Sequence, residues 1–272
     1  MKQARIIEIT DPSWKKLLED TKPEFYQLPQ YLKLDSELNN AIPKAFYFEL
    51  DAIKVIIPFY LNTLVFDGIE HYRYDARSPY GYPGILSSQD LSQDQLHQIL
   101  RSLMELSKQS GILTYFLKLN PFTNIYDNFS FPPEILFINH GKVVYFDLTQ
   151  TEEDISAALS KNHKRNIKKL NKQGFCTTIN HWEEYKKFQA IYIETMQRQN
   201  ASSYYMFDEN YFDKLRKIVG KNLYLCTVHD ANGKLATSGL FSGNGNIAQY
   251  HFMSTCNMTI NNNQLYYQRN RS

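Results

Sequence analysis

The spacing of hydrophobic residues predicts three helices and three strands in the first half of the chain. Apolar side chains recur at helical spacing in three stretches, which open at Asp11-Pro12, pass through Leu32 and Leu38, and cover residues 90–110. Three runs rich in β-branched and aromatic residues predict strands at residues 44–50, 52–61 and 112–119. Only a tight turn at Asp51 separates the first two runs, which indicates a hairpin. Pro58 lacks a backbone N–H, so it places the second strand at a sheet edge or ends it there.

An aromatic stretch, residues 72–84, follows this hairpin. It contains four tyrosines, Tyr72, Tyr74, Tyr80 and Tyr82, together with two glycines and two prolines. The glycines and prolines predict an ordered loop. Phenol rings gathered on a loop favour one that lines a ligand cleft, although packing of the loop against the protein explains them as well.

The second half repeats this order of helices followed by strands. Its pattern predicts a strand at residues 142–148, helices at 149–159, 160–174, 182–199 and 211–219, and strands at 223–229, 234–241 and 247–254. Thr151 and Asp154 form a possible capping box, and Asn232-Gly233 supplies the positive-φ turn of a hairpin. We interpret the repeat as two copies of one α+β unit. The predicted domains are residues 1–141 and 142–255, followed by an atypical, Asn-rich tail at 256–272.

Composition limits the class of protein. The chain has 272 residues, 43% hydrophobic and 21% charged, which is typical of a globular protein. A net charge of only +2 argues against a general nucleic-acid coat protein. Three distant cysteines give neither a disulfide framework nor a metal motif. The chain shows neither a signal peptide nor a membrane span, so we expect a cytoplasmic protein in a reducing compartment.

Positive charge is concentrated in residues 160–174. Six cations occur there without an acidic residue: Lys161, Lys164, Arg165, Lys168, Lys169 and Lys172. Ser160 is a suitable helix N-cap, and Gly174 suits the left-handed position after a helix. The spacing of His163, Ile167 and Leu170 predicts a core-facing stripe. This helix is either a solvated charged face or an anion-binding surface.

In their order, these elements resemble the FemABX-type aminoacyl/peptidyltransferases, double-domain relatives of the GNAT N-acyltransferases. The strand ending at Asp147-Leu148, the acidic helix start and the basic segment are similar to the hallmark segment of that family. Further similar stretches are residues 192–198, Tyr205, Tyr211-Phe212, Gly239-Leu240 and 249–255, with residues 78–84 in the first domain. The resemblance covers residues 10–255 and lies in order and spacing rather than in one diagnostic motif.

The resemblance implies an α+β fold of two tandem GNAT-like domains, each a mixed, mainly antiparallel sheet flanked by helices, with the second incomplete. It implies N-acyl transfer: an acyl or aminoacyl group passes to an amine of a phosphorylated cell-envelope precursor, either a peptidoglycan peptide or an amino sugar of a surface polysaccharide. The donor is aminoacyl-tRNA or acyl-CoA, charged tRNA is a possible partner, and no cofactor or metal is bound. Such sites position the amine and stabilise the oxyanion without a covalent nucleophile.

The candidate site residues follow from this resemblance. Lys161 and Arg165, with support from Asn162, are expected to bind a phosphate or carboxylate. The residues expected to line the acceptor cleft, unless they pack in the core, are Tyr80, Tyr82 and Tyr205. His251 is a candidate general base or a structural strand residue, and Asp75 is a candidate base or a turn cap.

The chain departs from the family pattern after Thr255. GNAT domains that use coenzyme A have a glycine-rich turn and helix N-terminus after the fourth strand, and no such element follows here. We therefore expect a truncation or frameshift near residue 255, which leaves open whether the chain is active. The long coiled-coil insertion of some tRNA-using members is also absent. Two alternatives remain: a non-catalytic module that binds phosphorylated sugar or peptide precursors, and an RNA-binding protein.

Overall fold

The computed structural model describes residues 3–21, 23–67, 69–124, 126, 128–244 and 246–256. The chain divides into two compact units, Met1–His140 with Asn244–Ile247 and Gly141–Gly243 with Ala248–Ser272. Each unit contains its own β-sheet together with α-helices, so the predicted α+β class is confirmed. Most of the predicted tail, residues 257–272, lies outside the described residues.

The first unit is built on a mixed sheet. Its elements are β1 (Gln3–Glu8), α1 (Pro12–Asp20), α2 (Pro29–Asn39), β2 (Ile42–Leu50), β3 (Ile53–Phe66), β4 (Ile69–Arg77), β5 (Leu86–Ser87), α3 (Gln93–Gln109) and β6 (Ile112–Phe116). The sheet order is β1-β2-β3-β4-β6, and β5 pairs with β3. Strands β4 and β6 are parallel, whereas β1–β2, β2–β3 and β3–β4 are antiparallel. The predicted helices and the hairpin turn at Asp51, where φ is 54°, are confirmed.

Both faces of β2 and β3 are buried. On one face, Phe46 and Phe59 stack with ring centroids 4.4 Å apart and join a core that includes Leu96 and Ile99 of α3. Residues from the other face include Tyr60, whose hydroxyl donates to the Leu32 carbonyl of α2 at 3.1 Å. A sheet covered on both faces explains why these strands are almost continuously hydrophobic.

The prediction for Pro58 was wrong. Strand β3 is central, because it pairs with β2 along one edge, and it continues to Phe66. On the other edge, β5 pairs with residues 55 and 56, and β4 pairs from residue 60 onward. Pro58 lies in the interval between these two partners. Its missing N–H therefore removes no ladder hydrogen bond on that edge.

Two parts of the first unit were not predicted as strands. Residues 72–77 were assigned to the aromatic loop, but they belong to β4, in which Tyr74 lies opposite Thr63 of β3. Strand β1 pairs with β2 although its short apolar run gave no clear strand signal. Both strands depend on partners that are distant in sequence, and local spacing does not show such pairing.

The second unit contains helices followed by a four-stranded sheet in its described residues. Its elements are α4 (Glu152–Ala158), α5 (Lys161–Lys172), β7 (Cys176–Ile179), α6 (Tyr185–Arg198), α7 (Glu209–Val219), β8 (Leu223–His229), β9 (Leu235–Asn244) and β10 (Ile247–Thr255). The sheet order is β10-β9-β8-β7. Strand β7 was not predicted, whereas the four helices and the other three strands were.

An aromatic cluster forms the core of this unit. The ring of Phe212 on α7 lies 5.2 Å from Phe188 and 5.1 Å from Tyr192, both on α6. Phe252 on β10 closes the cluster at 5.4 Å from Phe212. These edge-to-face contacts hold α6, α7 and the sheet together.

The predicted strand at residues 142–148 is not formed in the described structure. Its side chains are exposed instead, with Val144 at 91% and Leu148 at 68% of full exposure. A strand requires a neighbour for its backbone N–H and C=O groups. Within the described residues, no strand pairs with this segment. Its sequence favours a strand, but its surroundings do not supply a partner.

Candidate functional site

Helix α5 carries the concentration of positive charge. Ser160 caps it, since its hydroxyl accepts a hydrogen bond from the His163 backbone N–H at 3.2 Å. Gly174, just beyond the helix, has a φ of 78°, in the left-handed region. Both predicted helix boundaries are therefore confirmed. All six lysine and arginine side chains of the helix are exposed.

The predicted core-facing stripe of α5 is not buried. Ile167 is 47% exposed and Leu170 is 38% exposed, and His163 is exposed as well. The described chain provides no element that covers this stripe, and it buries no residue of α5. The helix is therefore stabilised by its caps and backbone hydrogen bonds, and its whole surface is accessible to a ligand or to solvent.

The first turns of α5 bring the predicted anion-binding residues together. Arg165 Nη2 donates a hydrogen bond to Asn162 Oδ1 at 2.8 Å, so Asn162 orients the guanidinium. Lys164 Nζ donates to the Ala157 carbonyl at 2.7 Å, which turns that lysine towards α4. Lys161 is the first helical residue. Positive side chains and the positive end of the helix dipole thus coincide, and both favour an anion.

Residues 78–84 form an ordered loop in the first unit, attached to the chain that follows β6. The Ser78 N–H donates to the Phe116 carbonyl at 2.8 Å, and the Ser78 hydroxyl accepts from the Lys118 N–H at 2.9 Å. Asn120 Nδ2 donates to the Tyr82 carbonyl at 3.2 Å. These backbone contacts fix the positions from which Tyr80 and Tyr82 project.

The two loop tyrosines are partly accessible, with Tyr80 40% exposed and Tyr82 41% exposed. The Tyr80 ring packs edge-to-face against Tyr26 with centroids 6.4 Å apart. Lys118 Nζ lies 5.2 Å from the centroid of the Tyr82 ring, a cation–π contact. Sequence reasoning missed Lys118, although its place just after β6 and before Asn120-Pro121 puts it beside the loop.

Asp75 is a residue of β4 rather than of the loop. It lies opposite Thr114 of the parallel strand β6, and the Thr114 hydroxyl donates to its carboxylate. The residue is half-buried. It therefore does not cap a turn, and its carboxylate already accepts one hydrogen bond within the sheet.

Tyr205 and His251 lie in the second unit. Tyr205 is 39% exposed, and its carbonyl accepts from the Tyr192 hydroxyl at 3.0 Å. His251 Nε2 lies 2.6 Å from the hydroxyl of the buried Ser242. Burial lowers the pKa of His251 to about 4, so its imidazole is neutral near pH 7.

One titratable pair was missed by the sequence reasoning. His229 Nε2 on β8 lies 2.8 Å from Glu184 Oε2, and Lys187 Nζ lies 3.3 Å from the other carboxylate oxygen. Burial alone raises the pKa of Glu184, but the hydrogen bonds from His229 and Lys187 outweigh it and lower the pKa. Glu184 and His229 are far apart in sequence, and no local motif connects them.

The candidate residues are distributed over both units. The first unit holds Asp75, Tyr80 and Tyr82, and the second holds Lys161, Asn162, Arg165, Tyr205 and His251. Among the described residues, no group of three or more His, Cys, Asp or Glu side chains is arranged to hold a metal ion. Over the same residues, none of the helices combines the length and apolar character that crossing a membrane requires.

Comparison with known proteins identifies the family to which this chain is similar. The FemAB family model matches residues 142–231. The solved structure of FemX shares 10% sequence identity with this chain and has a TM-score of 0.62, covering 98% of this chain and 86% of its own. At that identity the likeness shows a shared fold. No curated protein matches the chain. The predicted FemAB-like resemblance and the fold class are therefore confirmed.

A second solved structure comes from Enterococcus faecalis V583 and is described as a conserved protein of unknown function, a probable N-acyltransferase. It shares 11% identity with this chain and covers 95% of this chain and 60% of its own. Its TM-score of 0.29 is too low to indicate a shared fold.

Proposed function

We propose that this protein is an acyltransferase of the FemAB type that transfers an acyl or aminoacyl group to an amine of a cell-envelope precursor. The FemAB family match supports the acyltransferase class, and its position on residues 142–231 includes the whole basic helix α5. A peptidoglycan peptide is the acceptor that this match favours, with the amino sugar of a surface polysaccharide as the other acceptor class. The donor is aminoacyl-tRNA or acyl-CoA.

The exposed cationic helix is the observation that carries this proposal. Cell-envelope precursors are carried on phosphates, and arginine binds a phosphate through two parallel hydrogen bonds. One of the guanidinium's five N–H donors is used by Asn162, at 2.8 Å from Arg165 Nη2. Lys161 adds a point charge in the same helical turn. Together these groups form an anion site at a helix start.

The chemistry asked of the protein is positioning and charge stabilisation. The acceptor amine attacks the donor carbonyl, a C–N bond forms, the ester C–O or thioester C–S bond breaks, and the amine proton passes to a base. Tyr80, Tyr82 and Tyr205 present phenols that orient the acceptor. Asp75 is the better placed base, because its carboxylate is half-exposed. His251 is enclosed beside Ser242, and its lowered pKa makes it a weak proton acceptor.

A binding titration with a nucleotide-linked peptidoglycan precursor tests the basic helix. We expect Arg165→Ala to weaken binding about tenfold or more, because a hydrogen bond to a charged group is lost. Lys172→Ala is the matched control, since it removes one exposed charge from the last turn of the same helix. Equal affinities of the two variants would show that Arg165 does not contact the phosphate.

A transfer assay with each donor class tests the reaction itself. Incorporation of a labelled acyl group from aminoacyl-tRNA or acyl-CoA into the precursor supports the proposal, and the productive donor is then identified. We expect Asp75→Asn to lower kcat while precursor affinity is retained. Precursor binding without transfer from either donor indicates a non-catalytic module instead. Binding of unrelated RNA that falls steeply with salt indicates the RNA-binding alternative.

A further inference from the structure

Residues 142–147 have the composition of a β-strand but are exposed. The sequence Lys-Val-Val-Tyr-Phe-Asp places β-branched and aromatic residues at its four central positions. Within the described residues, this segment belongs to neither sheet. Val144 is 91% exposed, Phe146 57% and Val143 43%. Short segments with high β-propensity, low net charge and no proline pair readily with other chains when they are exposed.

We propose that residues 142–147 pair antiparallel with the same residues of a second copy of this chain. The segment begins with a cation, Lys142, and ends with an anion, Asp147. An antiparallel alignment places Lys142 opposite Asp147 of the second copy, and Asp147 opposite Lys142 of that copy. Both ends of the contact are then attractive, and the segment has no net charge that opposes association.

The apolar residues fit the same register. Val143 lies opposite Phe146 of the second copy, and Val144 lies opposite Tyr145 of that copy. Pairs of a β-branched and an aromatic residue are among the favourable cross-strand pairs. A parallel, in-register alignment places like charges opposite each other at both ends, which is unfavourable. Charge complementarity therefore selects the antiparallel arrangement.

The register also determines the kind of assembly. Side chains alternate between the two faces of a strand, so Lys142 and Asp147, five positions apart, lie on opposite faces. A two-fold axis between antiparallel strands pairs residues of the same face, so this register is not two-fold symmetric. Such a contact does not close, and each added copy leaves a strand edge open. We expect oligomers that grow with concentration rather than a discrete dimer.

Charge exchange in the full-length chain tests the proposal, with weight-average mass measured by sedimentation over a range of protein concentrations. Lys142→Asp and Asp147→Lys each place like charges opposite each other at both ends. Each single variant is expected to raise the concentration needed for association about tenfold. An equimolar mixture of the two single variants is expected to associate again, because every contact between unlike copies is attractive. The double variant is expected to associate like the original chain.

Asp147 also accepts hydrogen bonds from the Thr149 N–H at 3.0 Å and the Thr149 hydroxyl at 2.7 Å, so its replacement can disturb the local turn. Val144→Asp avoids that difficulty. Its position is almost fully exposed, so folding is unchanged while pairing is blocked. A chain that stays monomeric at all concentrations overturns the proposal. So does a discrete dimer that the charge exchanges do not affect, or association that persists in Val144→Asp.

Discussion

Gly81 separates the two tyrosines of the loop at residues 78–84, and an alanine there is expected to destabilise the first unit. The backbone of Gly81 has a φ of 89°, a conformation that residues with a Cβ rarely adopt. A Cβ at this position lies only 2.3 Å from Cε1 and Cζ of Tyr26. The change therefore adds backbone strain and a steric overlap at one site.

The expected cost is the sum of these two effects. The left-handed conformation costs an alanine about 1–2 kcal/mol, and overpacking of a filled site costs about 1–3 kcal/mol. Tyr26 cannot easily move aside, because it is only 6% exposed and packs against Phe25 and Tyr31. We therefore expect Gly81→Ala to lower the free energy of unfolding of the first unit by about 3 kcal/mol. Displacement of Tyr80 and Tyr82 should also weaken binding of the proposed acceptor.

The chain offers a convenient reporter for this unit. It has two tryptophans, Trp14 in the first unit and Trp182 in the second. In a Trp182→Phe background, the fluorescence of the fully buried Trp14 follows urea unfolding of the first unit alone. Trp14 Nε1 donates to the Gln27 carbonyl at 3.1 Å, next to Tyr26, so the reporter lies close to the perturbation.

Two further variants separate the contributions. Gly233 has a φ of 72° and no atom within 4 Å of an added Cβ, so Gly233→Ala should show strain alone, about 1 kcal/mol by hydrogen exchange of the β8–β9 hairpin. Tyr26→Leu in the Gly81→Ala background should recover part of the loss by relieving the overlap. If Gly81→Ala costs no more than Gly233→Ala, the loop is not held against Tyr26, and the reasoning fails.

Three other changes give independent tests. Hydrogen bonds from Arg5 and Ser13 outweigh burial and lower the pKa of Asp11 to about 2. The stability they give is therefore complete above about pH 4 and is lost as pH falls towards 2. Asp11→Asn keeps the helix cap, so a Trp14 unfolding series should show a loss of about 1 kcal/mol at neutral pH and a weaker acid dependence; an unchanged acid dependence contradicts this. Phe212→Ala should cost about 3–5 kcal/mol in thermal unfolding, because Phe212 is fully buried, and a cost under about 1 kcal/mol excludes a packed aromatic core. Ser160→Ala should destabilise α5 by about 1 kcal/mol and speed hydrogen exchange of the His163 amide, whereas Ser156→Ala should not.

Much of the fold and part of the candidate site were predictable because they depend on neighbouring residues. The helix that begins at Ser160 is one example, since its cap, its spacing and its glycine stop all lie within 15 residues. The contact between Asn162 and Arg165 is another, because residues three apart share a helix face. The order of helices and strands then carried the FemAB-like resemblance, which the family match and the FemX fold confirm.

Contacts between distant segments could not be read in this way. The pair of Glu184 and His229, and the contact of Lys118 with Tyr82, join elements that only the folded chain brings together. Likewise, spacing predicted a buried stripe on α5 around Ile167, but burial requires an opposing surface, and the described chain provides none.

The sequence by itself determined where chain segments turn, where helices begin and end, and which segments prefer an extended backbone, because these preferences act over a few residues. Only the tertiary structure decided which extended segments became strands. Pro58 lies within a central strand because the other partners of β3 leave an interval there. Residues 142–147 remain unpaired within the described chain, although their sequence is as strand-like as that of β8. A strand exists only with a partner for its backbone hydrogen bonds, and the position of that partner is a property of the whole fold.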